Sequence, residues 1–149
     1  MKLEELRRDV QELCKEYNLP YDELNREFEI IDNFYSHRII DNYLRNIRRR
    51  MVDAFYSFIN YLHNFLAPNP QSLIFMQEAE FFSDAEKDEI DLIIKKIMLI
   101  NRISVKLELE AKPEKDAEFI RKYLEEWKSL KPRIIRITNN LIKNWEKNL

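Results

Sequence analysis

The segment that decides the fold reads YDELNREFEIIDNFYSHRIIDNYLRNIRRRMVDAFYSFINYLHNFL and runs from Tyr21 to Leu66. It contains neither proline nor glycine, so no residue in it breaks a helix by its own conformational preference. A straight helix of this length would extend about 69 Å at 1.5 Å per residue. A compact domain of this chain length is only about 40 Å across. The sequence therefore predicts a long second helix that either bends or projects and packs on another chain.

The spacing of apolar residues indicates where this helix changes. One helical stripe comprises Tyr21, Leu24, Phe28, Ile31 and Tyr35, and a second comprises Ile40, Leu44, Ile47, Met51, Ala54, Phe58, Tyr61 and Phe65. At about 100° per residue, the offset between the stripes puts the second nearly opposite the first. We expect a kink or a short break between Tyr35 and Ile40. The alternative is an unbroken helix whose stripe winds gradually through Ile39 and Tyr43.

Prolines and capping residues divide the rest of the chain. A first helix should end before Pro20, because proline disfavours a helical residue before it. Ala67-Pro-Asn-Pro70 is a loop, and Ser72 could cap a short helix after it. Ser83 and Glu86 have the spacing of a capping box. Pro113 and Pro132 each suit the first turn of a helix, so the last two helices should form a hairpin.

The stretch from Arg102 to Glu110 also alternates as a strand would, with Ile103, Val105, Leu107 and Leu109 on one side. No clear partner strand exists elsewhere, and a lone strand leaves its backbone groups unsatisfied. Helix is therefore the preferred interpretation. The sequence predicts an all-α fold, a helical bundle of about five to six helices in one domain over residues 1–149.

Composition excludes several classes of enzyme and partner. The chain has no glycine, which rules out a P-loop, a dinucleotide fingerprint and a nucleophile elbow. Its one cysteine, Cys14, excludes an internal disulfide and suits a reducing compartment. Its net charge of −2 predicts no strong general attraction to nucleic acid or to an anionic membrane. No secretory signal or membrane span is visible, so we expect a cytoplasmic protein with no membrane partner.

The candidate binding residues are four arginines of the second helix, Arg38, Arg45, Arg48 and Arg49, in a group that also includes Arg50. On a continuous helix Arg38, Arg45 and Arg49 share one face, and guanidinium forks match phosphate oxygens. The last helix carries a second basic face with Arg136, Asn140, Lys143 and Lys147. The pI of about 5.8 argues against a nucleic-acid binder. We favour pairing with the acidic segment Glu78–Asp91, within the chain or between subunits.

The candidate interface residues are the aromatics Phe55, Phe58, Tyr61 and Phe65. Residues 51–66 are apolar on more than one face, which is typical of a central helix or of a subunit interface. No Glu-x-x-His pair or local His/Cys spacing is present, so we expect no metal, no cofactor and no catalytic residues. The predicted function is a helical protein–protein interaction or assembly subunit without catalytic activity, and we expect it to form a homodimer. The alternative is a nucleic-acid-binding accessory protein that uses the arginines.

Overall fold

The computed structural model describes all residues, 1–149, and 79% of them are helical with no strand. The helices are α1 (Leu3–Glu16), α2 (Tyr21–Phe28), α3 (Ile30–Ser36), α4 (Tyr43–Tyr56), α5 (Ile59–His63), α6 (Leu73–Glu80), α7 (Asp84–Glu110) and α8 (Pro113–Lys147). The all-α prediction is confirmed, and residues 102–110 are helical as expected. The eight helices exceed the predicted five to six.

The predicted long second helix is four shorter ones, α2 to α5. Helix α3 ends at Ser36 and α4 begins at Tyr43. The predicted break between Tyr35 and Ile40 is therefore confirmed, and the alternative of a gradually winding, unbroken helix is wrong. Two further breaks, at Glu29 and at residues 57–58, were not predicted from the sequence.

The break after α3 is a Schellman motif built without glycine. Arg38 has a left-handed backbone with φ of 55°. Its N–H donates to the Tyr35 carbonyl at 3.3 Å, and the next N–H, of Ile39, donates to the Phe34 carbonyl at 2.9 Å. These two bonds satisfy carbonyls that the end of a helix leaves open. The end of α1 uses the same pair of bonds around Asn18, whose φ is 57°.

The break at Glu29 depends on a contact that is distant in sequence. Glu29 is left-handed, with φ of 52°. The Asn25 side chain accepts a hydrogen bond from the Ile31 N–H at 2.9 Å, which satisfies one of the open donors at the start of α3. Arg50 donates from Nε to the Phe28 carbonyl at 2.8 Å and lies 3.6 Å from the Glu29 carboxylate. A side chain of α4 thus satisfies the end of α2, which local sequence patterns do not reveal.

The prediction that Pro132 opens a separate last helix is wrong, because Pro132 lies inside α8. Proline in a helix removes one backbone hydrogen bond and costs about 3 kcal/mol. The apolar face continues past it, with Leu130 before and Ile134 and Ile137 after, all buried. Burial of this continuous face offsets the cost. The predicted hairpin of two terminal helices is therefore one helix.

The predicted caps of α6 and α7 are confirmed. The Ser72 hydroxyl accepts from the Phe75 N–H at 3.3 Å. At the start of α7 the Ser83 N–H donates to the Glu86 carboxylate at 3.0 Å, while the Glu86 N–H donates to the Ser83 hydroxyl at 3.2 Å. This is the reciprocal pair of a capping box.

The chain divides into two compact units. Unit 1 comprises Met1–Ala54 and Arg102–Glu125, and unit 2 comprises Phe55–Asn101 and Glu126–Leu149. In unit 1 the helices α1, α2 and α3 contact one another. The largest buried apolar side chains of unit 1 include Leu24, Ile30, Ile31, Phe34, Ile47 and Met51, and those of unit 2 include Phe55, Leu62, Ile90, Ile93 and Ile97. One domain over residues 1–149 remains a prediction.

The left-handed residue Ala111 provides a test of how this glycine-free chain ends its helices. Ala111 is exposed, has φ of 53° and donates its N–H to the Leu107 carbonyl at 3.0 Å at the end of α7. A left-handed backbone is unfavourable for alanine but not for glycine. We therefore expect Ala111→Gly to raise the free energy of unfolding by about 0.5–1 kcal/mol in urea denaturation.

The matched control is Ala85→Gly, at an exposed alanine within the first turn of α7. Its backbone is right-handed, so glycine should lower the free energy of unfolding by up to about 1 kcal/mol. Equal effects of the same sign at both positions would contradict this account of the α7 terminus.

Candidate functional site

The structure places the four candidate arginines in four different environments. Arg38 is exposed in the loop after α3, outside α4. Arg45 is half-buried, Arg48 is 0% exposed and Arg49 is exposed. The predicted helical face shared by Arg38, Arg45 and Arg49 is wrong, because that face required one helix through Ser36 to Asn42. Neither Arg38 nor Arg45 forms an ion pair.

Arg48 is the centre of a buried polar network in unit 1. Its Nε donates to Asp116 Oδ1 at 2.7 Å, and its Nη2 donates to Glu108 Oε1 at 2.7 Å. Its Nη1 donates to the Ser104 carbonyl at 3.2 Å and also to the Ser104 hydroxyl. Asp116 lies in the first turn of α8, where the helix dipole also favours a negative charge. All three nitrogens of the guanidinium are therefore hydrogen-bonded, as burial of a charge requires.

Arg49 extends this network towards the surface. Its Nε and Nη2 donate to the two oxygens of Glu108 at 2.6 and 2.8 Å, a bidentate pair. The hydrogen bond from Arg49 lowers the pKa of Glu108 from 4.5 to about 2, against the opposing effect of burial and with further help from Arg48. Glu108 is thus held as a carboxylate between two guanidinium groups.

Carboxylates do contact Arg48 and Arg49, as expected, but they do not come from the predicted acidic segment. The partners are Glu108 near the end of α7 and Asp116 in α8. The segment Glu78–Asp91 instead contacts groups of unit 2: Glu78 accepts from the Trp145 indole at 3.0 Å, and Glu89 accepts from Arg133 at 3.0 Å. Arg136, on the predicted second basic face, also lies 3.8 Å from Glu89.

The four candidate interface aromatics all have aromatic partners within the chain. Phe55 and Phe58 contact the Trp127 ring, with centroids 5.2 and 6.3 Å away. Phe65 contacts Tyr61 and Phe82 at 5.0 Å each. The Tyr61 hydroxyl lies 2.7 Å from the Thr138 hydroxyl. Phe55 and Phe65 are buried, whereas Phe58 and Tyr61 are half-buried, so only the latter two present surface.

No group of three or more histidine, cysteine, aspartate or glutamate side chains is arranged to hold a metal ion. Cys14 is buried, and burial raises the pKa of its thiol to about 11, which makes it a poor nucleophile. No helix is long and apolar enough to cross a membrane.

The first turn of α6 is an exposed apolar surface. Four consecutive residues, Leu73, Ile74, Phe75 and Met76, are 84%, 62%, 38% and 40% exposed. Four successive helical positions point around most of the helix circumference, so this turn, here called the α6 tip, is apolar and exposed on nearly every side. Of the eight residues of α6, only Ala79 is buried.

A second apolar feature of unit 2 is an open groove of about 260 Å³ along α8. Its lining includes Trp127, Ile134, Ile135 and Thr138 of α8, with Phe58 from the turn between α4 and α5. Lys131 is the one charged residue that lines the groove. This groove is here called the α8 groove.

Two parts of this picture could not be found by local sequence reasoning. Glu108 and Asp116 are 60 and 68 positions from Arg48, and no local pattern links them to it. The α6 tip did carry a signal, because Leu73-Ile-Phe-Met76 is among the longest unbroken apolar runs in the sequence.

No protein-family model, curated protein or solved structure matches this chain.

The buried network predicts very different effects at two neighbouring arginines. We expect Arg48→Met to lower the free energy of unfolding by about 3–5 kcal/mol, because it leaves the Asp116 carboxylate buried without its partner. Arg49→Met is the matched control and should cost about 1 kcal/mol or less, because Arg49 is exposed. Urea denaturation of both variants measures the difference. Equal losses would contradict a structural role specific to Arg48.

Glu108 predicts a defined dependence of stability on pH. Its folded pKa of about 2 lies below its ordinary value of 4.5, so the unfolded chain takes up this proton first. The stabilisation of the folded chain by the ionised Glu108 carboxylate is fully present above about pH 4.5, and it is lost as the pH falls from there towards 2. We expect the free energy of unfolding to fall more steeply over this interval in the wild type than in Glu108→Gln. Parallel curves from urea denaturation would contradict the prediction.

Proposed function

We propose that the protein is a helical protein–protein interaction or assembly subunit that associates with itself and has no catalytic activity of its own. The observation that carries this proposal is the α6 tip, four consecutive large apolar side chains exposed together. Contiguous exposed apolar surface is typical of a surface that another molecule covers.

The driving force would be the removal of apolar area from water, at about 25 cal/mol per Å² before the cost of association. One helical turn supplies only part of what a stable complex needs. Unit 2 also exposes Leu92 and Leu99 on α7. These two residues lie seven positions apart, so they share one side of the helix, and they could extend the contact.

The nucleic-acid alternative is less well supported by the arrangement of the arginines. Arg48 is buried, and the Nε and Nη2 atoms of Arg49 both donate to the Glu108 carboxylate. Arg38 and Arg45 remain as candidates for phosphate, in a chain whose net charge is −2. Two such groups would neutralise only about two phosphates, so they would give only weak binding.

The proposal predicts the mass of the protein in solution. We expect light scattering at micromolar concentration to give a multiple of the 18.3 kDa chain. The double variant Leu73→Glu/Ile74→Glu should shift this towards 18.3 kDa, because association would then remove two carboxylates from water. Both positions are exposed, so the fold should be unchanged by circular dichroism.

The control is Ile40→Glu, at an equally exposed isoleucine of unit 1, which should leave the mass unchanged. A wild-type protein that stays at 18.3 kDa at every concentration would contradict self-association.

A further inference from the structure

The α6 tip and the α8 groove have matching chemistry, although both belong to the same unit. No residue of α6 lines the groove of its own chain. The groove is bounded by the Phe58 and Trp127 rings, whose centroids are 6.3 Å apart, and the buried Ile134 lies beside them. The Thr138 hydroxyl is already engaged by Tyr61 at 2.7 Å. The groove therefore offers mainly apolar surface to an occupant.

We propose that the α6 tip of one copy docks in the α8 groove of a second copy, and that the second copy returns the same contact. This inference rests on the proposed self-association and names the two surfaces that form it. Because both surfaces are on one chain, a two-fold dimer uses each of them twice and leaves neither exposed.

The size of the groove fits this occupant. A protein cavity of roughly 150 Å³ accepts a benzene molecule, so about 260 Å³ has room for the Phe75 ring together with an aliphatic neighbour. The Ser72 cap holds the first turn of α6 in helical form. The tip is thus pre-organised, which lowers the entropy that docking must overcome.

The charges around the two surfaces are also complementary. The α6 tip is followed by Glu78 and Glu80 in the same helix, and α6 has no basic residue. The α8 groove is lined by Lys131 and by no acidic residue. Docking the tip would therefore place no like charges against each other. The acidic residues beside the tip disfavour an anionic lipid surface as its occupant.

Two matched isoleucines of α8 test the groove. Ile135 lines the groove and Ile142 does not, although both are 50% exposed and lie two turns apart on one helix. We expect Ile135→Glu to raise the dimer dissociation constant by about 100-fold or more, because a carboxylate would lose its water in an apolar site. Ile142→Glu should leave the dimer dissociation constant within a few-fold of the wild-type value. Sedimentation equilibrium measures both, with circular dichroism as the check on folding.

A mixture of the two variants provides a second test of the docking. The Leu73→Glu/Ile74→Glu variant keeps an intact groove, and the Ile135→Glu variant keeps an intact tip. An equimolar mixture can therefore form one of the two contacts, and should associate more strongly than either variant alone. Equal association of the mixture and of the separate variants would overturn the exchange of tip and groove.

The remaining outcomes separate this inference from the proposed function. If the α6 variant dissociates while Ile135→Glu remains dimeric, self-association through α6 stands and the groove assignment is wrong. If the wild type is monomeric, the proposed self-association and the docking of the α6 tip in the α8 groove both fail. If the wild type remains monomeric and cosediments with phosphatidylcholine vesicles, whereas the α6 variant does not, the occupant of the tip is a lipid surface and the inference is overturned.

Discussion

A guanidinium without access to solvent must be hydrogen-bonded and neutralised by the chain that buries it, and this requirement for Arg48 organises unit 1. The side chain comes from α4, while its partners Ser104 and Glu108 come from α7 and Asp116 from α8. The contributing parts of α4, α7 and α8 must pack together before the Arg48 guanidinium can be buried without a large desolvation penalty. Arg49 then neutralises the second oxygen of Glu108 from the exposed side. The network thus specifies how parts of three helices pack in unit 1.

Arg50 has a related effect on the backbone. It donates to the carbonyl that ends α2, next to the left-handed Glu29. Of the three consecutive arginines, Arg48 therefore neutralises the buried Asp116 carboxylate and shares the half-buried Glu108 carboxylate with Arg49, and Arg50 satisfies a helix end. A basic run that is easily taken for a phosphate-binding surface supplies mainly internal contacts. This division is possible because successive residues of a helix point about 100° apart, towards different neighbours.

Unit 2 differs in what it leaves exposed. Its aromatic residues pack on one another around Trp127 and Phe65, so the aromatic segment that looked too apolar for a small domain is largely accounted for inside the chain. The longest run of exposed apolar side chains lies instead on α6. An assembly function is therefore better supported by four aliphatic and aromatic residues after Ser72 than by the aromatics after Met51.

The sequence by itself determined the all-helical fold, the caps at Ser72 and Ser83 and the break after Tyr35. These features depend on residues within a few positions of one another, where helical periodicity and capping chemistry act directly. Only the tertiary structure decided that Glu29 interrupts a helix, that Pro132 does not, and that Arg48 is buried. In each case a local preference is overridden by a distant contact or by burial of a continuous apolar face. The physical reason is that a buried charge or an apolar face contributes several kcal/mol, whereas local backbone preferences are mostly near 1 kcal/mol per residue.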